Sequence, residues 1–377
     1  MDGSPSSSSR LRRRTAAALA AVAVALLAVP AASTARKTAT AAAIVLTGHG
    51  FGHGIGLSQW GAEERAAAGQ TTAQILHFYY PGTQLAATPA TNIRVLIALQ
   101  PAVSVGSAAP FTVTDASGAV LPFAAGLHLV SPGLIDGQAV DFPVVVTPGS
   151  APLNLAGTAY HGTFTLAAVQ GQVQVVNTLG LEDYLVSVVS AECPGTWHAA
   201  ALEAQAVASR SYALANLRPQ AAFDLYPDDR SQNYHGLARY LPTAQAAVAA
   251  TQGRVLLYRG GIVDALFSAS NGGRTSVPQA VWSNVSMPYF AVREDAYDAK
   301  SPDTNWGPLK LSLADIRHAF PQVPALVSGV ALVRNAGGRV TQLTFVGANG
   351  AAVSLGGYAF QERLGLRSTF FAVEARP

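Results

Sequence analysis

Residues 181–195 read LEDYLVSVVSAECPG, and the spacing of their apolar side chains is that of a helix. Leu181, Tyr184, Leu185, Val188 and Val189 recur at the i, i+3, i+4, i+7, i+8 positions of an amphipathic helix. Glu192 falls on the same stripe, about three turns after Leu181, so a carboxyl group continues the apolar face. Pro194 disfavours helical backbone at Cys193 and predicts that the helix ends near Glu192. Partial burial and the negative end of the helix macrodipole are expected to favour the protonated carboxyl there. A carboxyl held protonated near neutral pH is what general-acid catalysis on a glycosidic oxygen requires. The plain alternative is an exposed acid on a frayed helix end.

The next segment, WHAAALEAQAVASRSYALAN (197–216), reads as a second helix with small apolar residues all around it. Two polar stripes interrupt it: Glu203 with Arg210, and Gln205 with Ser209 and Tyr212. Ala and Ser admit close neighbours, so this helix is expected to be buried. Gln205, Arg210 and Tyr212 then need partners in the interior or in a cleft. Glu203 and Arg210 are read equally well as a structural pair or as part of a site.

Three blocks in order, YLVSVVSAECPGTWHAAALEAQAVASRSYAL (184–214), DDRSQNYHG (228–236) and AVAATQGRVLLYRGGIVDALFSASNGGRT (247–275), resemble the core of the stage II sporulation protein D and LytB family. The resemblance continues through VWSNVSMPYFAVREDAYDAKSPDTNW (281–306) and RVTQLTFVGANGAAVSLGGYAFQERLGLRSTFF (339–371), so that it covers about residues 177–373. It implies a lytic transglycosylase acting on peptidoglycan glycan strands, with Glu192 as its catalytic acid. Some members are described as amidase enhancers, which implies a second reading: a non-catalytic module that binds glycan and stimulates a wall amidase.

GHGFGHGIGLSQWGAEERAAAGQTTAQILHFYYPGTQL (48–85) resembles a motif that in many members follows the carboxyl end of the domain. Here it comes first, as in a circular permutation, and it is expected to pack on the end of the 177–373 core. Its alternating glycines allow positive φ and close approach to a ligand, and they argue against a helical His49/His53 metal site. Neither a metal nor another cofactor is expected. His49, His53 and Gln59 are instead expected to bond sugar hydroxyls or the loop's own backbone. Ser58 to Ala68 reads as a helix ended by Gly69, and Thr71 caps a second one running through Tyr80 to Pro81.

Arg10, Arg12, Arg13 and Arg14 precede an uncharged Ala, Val and Leu run to Val29 and then PAASTA, the pattern of a secretory signal over residues 1–35. The mature chain is expected to start near Arg36, exported and associated with the wall. No later stretch is apolar enough to span a bilayer. The net charge of +3 includes the four arginines of that leader; without them the chain is near neutral, which removes the electrostatic case for nucleic acid. The single cysteine, Cys193, allows no intramolecular disulfide and reads as a small buried residue.

Residues 90–176 hold short β-rich runs, NIRVLIAL, PFTVTD, FPVVVTP, GTFTLAAV and QVQVVNTL, punctuated by turn residues. They predict an antiparallel β subdomain that supports the 181–192 helix or extends a glycan groove, with support the better reading. Strands resume at RVLLY, IVDALFSAS, ALVRNA and VTQLTFVG, so the whole is expected to be α+β.

Ordinary glycosidases use two carboxylates. A transglycosylase uses the muramic acid C6 hydroxyl as internal nucleophile, so Glu192 alone would be acid and then base. Gln205, Arg210, Tyr212, Gln232, Tyr234, Ser268, Ser270, Asn271 and Gly272, together with His49, His53 and Gln59, are the expected groove residues. Asp183 and Glu203 are the alternatives for a second carboxylate, the first on a polar helical turn and the second with Arg210 at hand.

Overall fold

The computed structural model describes residues 42–280 and 286–376, all within one compact unit. The expected signal segment and part of the 281–306 block lie outside the described residues. The chain is α+β, with seven α-helices among the described residues and sheets whose pairings are antiparallel but for one short parallel pair. The helices are α1 (Gln59–Ala67), α2 (Thr72–Tyr79), α3 (Leu181–Glu192), α4 (Ala199–Ala215), α5 (Pro242–Ala250), α6 (Leu313–Ala319) and α7 (Gly357–Leu364).

Residues 92–180 build two six-stranded sheets that share one hydrophobic core. Alternate residues point inward, as in Phe111 and Val113, Val144 and Val146, Phe164 and Leu166, Val173 and Val175. All five expected β-runs are strands, at Asn92–Gln100, Phe111–Thr114, Val144–Thr147, Thr163–Val169 and Gln172–Gly180. The last of them runs without a loop into α3, so the sandwich aims that helix directly.

The helix α3 spans Leu181–Glu192, and Cys193 behind it is extended (φ −126°, ψ 139°), as Pro194 requires. The helix α4 is the buried small-residue helix: Ala201, Ala204, Val207 and Ala208 meet Ala62, Ala66, Ile75 and Leu76 of α1 and α2 in a second core. Ser58 caps α1 through the Gly61 N–H, and Thr71 with Gln74 forms a capping box on α2. Glu63 of α1 in turn accepts from the His198 N–H at 2.9 Å, where its charge lies at the N-terminus of α4.

Residues 43–49 form a strand between Asn305–Ser312 and Phe371–Arg376 in a three-stranded antiparallel sheet. The two ends of the described chain therefore lie side by side, with Gly48 opposite Phe371. A third core unites this sheet with strands Val327–Arg334, Val340–Gly347 and Ala352–Gly356 and with α6 and α7. IVDALFSAS departs from expectation, with only Gly261–Ile262 and Phe267–Ser268 in strands. The Phe267–Ser268 strand pairs parallel with Leu57–Ser58, which brings the glycine block against it.

Candidate active site

The glycine block is a tight, largely buried loop in which Gly50, Gly52, Gly54 and Gly56 all have positive φ. At Gly54, a Cβ would stand 1.9 Å from the guanidinium of Arg339, so only glycine fits. Arg339 is fully buried and donates to the carbonyls of Gly52 and Asn271 at 3.0 and 3.1 Å, fastening the loop to the core. The loop delivers Gln59, at the start of α1, to the end of α3.

There the half-buried Glu192 carboxyl meets two side chains from distant parts of the sequence. Gln59 Nε2 donates to Oε2 at 3.0 Å. Asn233 donates twice to Oε1, from its main-chain N–H at 3.1 Å and from Nδ2 at 3.0 Å. Donors at both oxygens fix the plane of the carboxyl, a preorganisation that acid–base catalysis exploits.

Glu192 lines two of three adjoining cavities. The first, a cleft of about 400 Å³, is also lined by His53, Gln59, Tyr212, Asp229, Gln232, Asn233, Phe267 and Ser268. The second, about 340 Å³, shares Glu192 and adds Pro194, Arg239 and Leu241. The third, about 540 Å³, is walled by Thr158 and Tyr160 of the sandwich and shares Asn233 with the first and Arg239 with the second. The β-rich region thus supports α3 and also forms one bank of this groove.

The segment between Asn233 and Leu241 is stapled in place. His235 N–H donates to Ser187 Oγ and Leu241 N–H to Ser190 Oγ, both on α3, while Leu237 N–H donates to the Ala159 carbonyl. Gly236 (φ 55°) passes so close to the sandwich that a Cβ would meet the Ala159 carbonyl at 2.5 Å.

His53, Gln59, Tyr212, Gln232 and Ser268 share the cleft with Glu192. The His53 ring accepts from the Ile55 N–H at Nδ1 and bonds the Phe267 main chain. Desolvation, then the nearby Arg339 charge, lowers its pKa to about 3, so it is a neutral wall residue. Burial raises the pKa of the Tyr212 phenol. Gln232 accepts from the Tyr184 hydroxyl at 3.1 Å.

Other expected groove residues stand elsewhere. Arg210 is fully buried and pairs with Glu182, not Glu203: Nη2 lies 2.6 Å from Oε2 and Nε 2.9 Å from Oε1. It also donates to the carbonyls of Ala206, Val248 and Arg254, because a buried guanidinium must satisfy all its donors. Glu203 accepts instead from the Thr72 hydroxyl. Gln205 is buried and donates to Ser209 Oγ at 3.0 Å. Tyr234 is buried against Tyr160 and Tyr184, with its hydroxyl donating to Asn177 Oδ1 at 2.7 Å.

The Ser270-Asn271-Gly272 turn is an anion nest for a buried aspartate. Ser270 Oγ and the N–H groups of Asn271, Gly272 and Gly273 all donate to Asp298, and Asn271 Nδ2 donates to Asp295. Its polar groups are consumed by the protein itself. His49 bonds Asn305 Oδ1 at 2.8 Å and packs on Phe370, away from the cleft.

The Cys193 thiol is buried, and desolvation, with the charges of Glu192 and Glu63 adding to it, pushes its pKa well up. That removes it as a nucleophile. Asn233, Asp229 and Arg230, absent from the sequence-derived set, are among the cleft residues that geometry adds.

The family model for the stage II sporulation protein matches residues 169–258, the stretch that holds α3, the Asn233 segment and α4. An uncharacterised protein of Brachyspira hyodysenteriae is 33% identical over 139 residues, 36% of this chain and 38% of its own. An amidase enhancer of Bacillus subtilis is 34% identical over 122 residues, 32% of this chain and 16% of its own. Stage II sporulation protein D of Bacillus subtilis is 31% identical over 146 residues, 34% of this chain and 42% of its own. In each case the match spans less than half the relative's length. Among the described residues no helix is long and apolar enough to cross a membrane.

Proposed function

We propose that this chain, whose residues 169–258 match the family model for the stage II sporulation protein, is an exported, wall-associated lytic transglycosylase of peptidoglycan glycan strands. The observation that carries this reading is the Glu192 carboxyl, fixed by Gln59 and Asn233 between the two cavities that it lines. Its proton goes to the glycosidic oxygen of a MurNAc–GlcNAc bond, whose C1–O bond breaks. The C6 hydroxyl of the same muramoyl residue attacks C1 and gives up its proton to the Glu192 carboxylate, closing a 1,6-anhydro ring and restoring the acid. No second carboxylate is required. Asp183 stands nine residues earlier on the same helix, about 14 Å along its axis, which is too far for a partner.

A second reading has its own support in the likeness to an amidase enhancer: the groove binds glycan, and a cell-wall amidase is the partner it stimulates. Mass spectrometry of peptidoglycan incubated with the protein, beside Glu192→Gln, separates the two. Anhydro-muramoyl ends from the unaltered protein alone are the expected result. Their absence from both, with glycan binding or amidase stimulation retained, overturns the enzyme in favour of the enhancer.

A further inference from the structure

Arg239 lines both cavities that adjoin the Glu192 cleft, and its side chain is exposed. Among the described residues it makes no ion pair or hydrogen bond. Arg230, the cation lining the first cleft, is in contrast neutralised by Asp228 at 2.6 Å and lies over the Tyr226 ring. The backbone that carries Arg239 is not free. The bonds of His235 and Leu241 to α3 and of Leu237 to the sandwich hold it on both sides, and Asn233 of the same segment holds Glu192. A fixed backbone thus presents an uncommitted guanidinium beside the acid.

We propose that Arg239 is a specificity-determining residue that takes a carboxylate carried by the bound glycan strand. This rests on the reading of the groove as a glycan site. Neutral sugar hydroxyls need no unpaired cation, whereas the planar guanidinium fork matches a carboxylate with two parallel N–H donors. A wall glycan offers two sources: the lactyl carboxylate of a muramoyl residue without its stem peptide, and the carboxylates of the stem peptide itself. Thr158 and Tyr160 on the opposite bank leave room for the strand in a cavity of about 540 Å³.

The test is equilibrium binding to the full chain carrying Glu192→Gln, which removes turnover from the readout. Four strand preparations are compared: stripped strands with free lactyl carboxylates, the same strands amidated, peptide-bearing strands, and those strands amidated. One free-carboxylate preparation is expected to bind about tenfold tighter than its amidated counterpart, and the pair that differs identifies the source. Adding Arg239→Gln is expected to abolish that difference, and Arg239→Lys to keep part of it. The thermal midpoint should not move, since the side chain is exposed and unpaired. Equal binding of all four preparations, or a preference that survives Arg239→Gln, overturns the proposal. Loss of anhydro products from the unaltered protein with this preference intact would refute the transglycosylase and leave the carboxylate site standing.

Discussion

Asn233 holds Glu192 by two donors on one oxygen, the main-chain N–H at 3.1 Å and Nδ2 at 3.0 Å, while Gln59 takes the other oxygen. Neither partner is near Glu192 in sequence. One arrives from the stapled segment after α4 and the other from the glycine block, so the orientation of the carboxyl depends on the whole fold closing.

Asn233→Ala is therefore expected to slow anhydro-product formation by about tenfold, the scale of one lost hydrogen bond. The main-chain donor survives, so the loss should be smaller than for Glu192→Gln. Gln59→Leu should have an effect of similar size through Oε2. Rates from quantified anhydro ends, beside urea unfolding curves, distinguish misorientation from unfolding. A rate that falls only in proportion to stability would remove the positioning role.

Asp229 is exposed and is the second carboxylate lining the Glu192 cleft. With the C6 hydroxyl as nucleophile it has nothing to do, and Asp229→Asn is expected to change the rate less than about threefold while the ends stay anhydro. A loss as deep as that of Glu192→Gln, with free reducing ends from the unaltered protein, would instead mean two-carboxylate hydrolysis.

Arg210 illustrates what the sequence could and could not reveal. Its burial was legible in the small-residue composition of α4, but its partner was not. Glu203 shares its helix, yet the carboxylate that meets it, Glu182, sits on α3 and faces it only because α3 and α4 pack together. The 181–192 helix, its end at Glu192, the cap at Thr71 and five of the sandwich strands were all written in local periodicity and turn chemistry. Asn233 escaped because its neighbours Gln232 and Tyr234 carry the more conspicuous side chains; both are buried, and Asn233 between them turns towards Glu192. The SASNGG turn misled for the opposite reason: donor-rich glycine turns suit any anion, and here the anion is the protein's own Asp298.

Arg210→Met leaves Glu182 without its cation and three main-chain carbonyls without their donor. It is expected to cost about 3 kcal/mol or more of folding free energy, read from urea unfolding. Glu182 is about one-third exposed, its side chain at 35%, so water can reach it in the variant. Adding Glu182→Gln should accordingly recover part of the loss. A single variant as stable as the parent would show that the pair contributes nothing.

His53 gives the molecule an acid-sensitive wall. Its pKa is lowered to about 3 by desolvation, then by Arg339, while in the unfolded chain it lies near 6.5. Above about 6.5 both states are neutral there and His53 adds no pH dependence. Between the two values the unfolded state binds a proton that the native state refuses, so stability falls with falling pH, by up to about 1.4 kcal/mol per unit from this group. His53→Asn offers a carbonyl oxygen in place of Nδ1 to accept from Ile55 and has no proton to gain in that range. Urea unfolding of both proteins at pH 7 and pH 4.5 should show the parent losing more stability on acidification than the variant. Equal losses would mean that His53 takes up its proton in the folded protein, and that the cleft beside Glu192 is more open to water and charge than its packing against Arg339 implies.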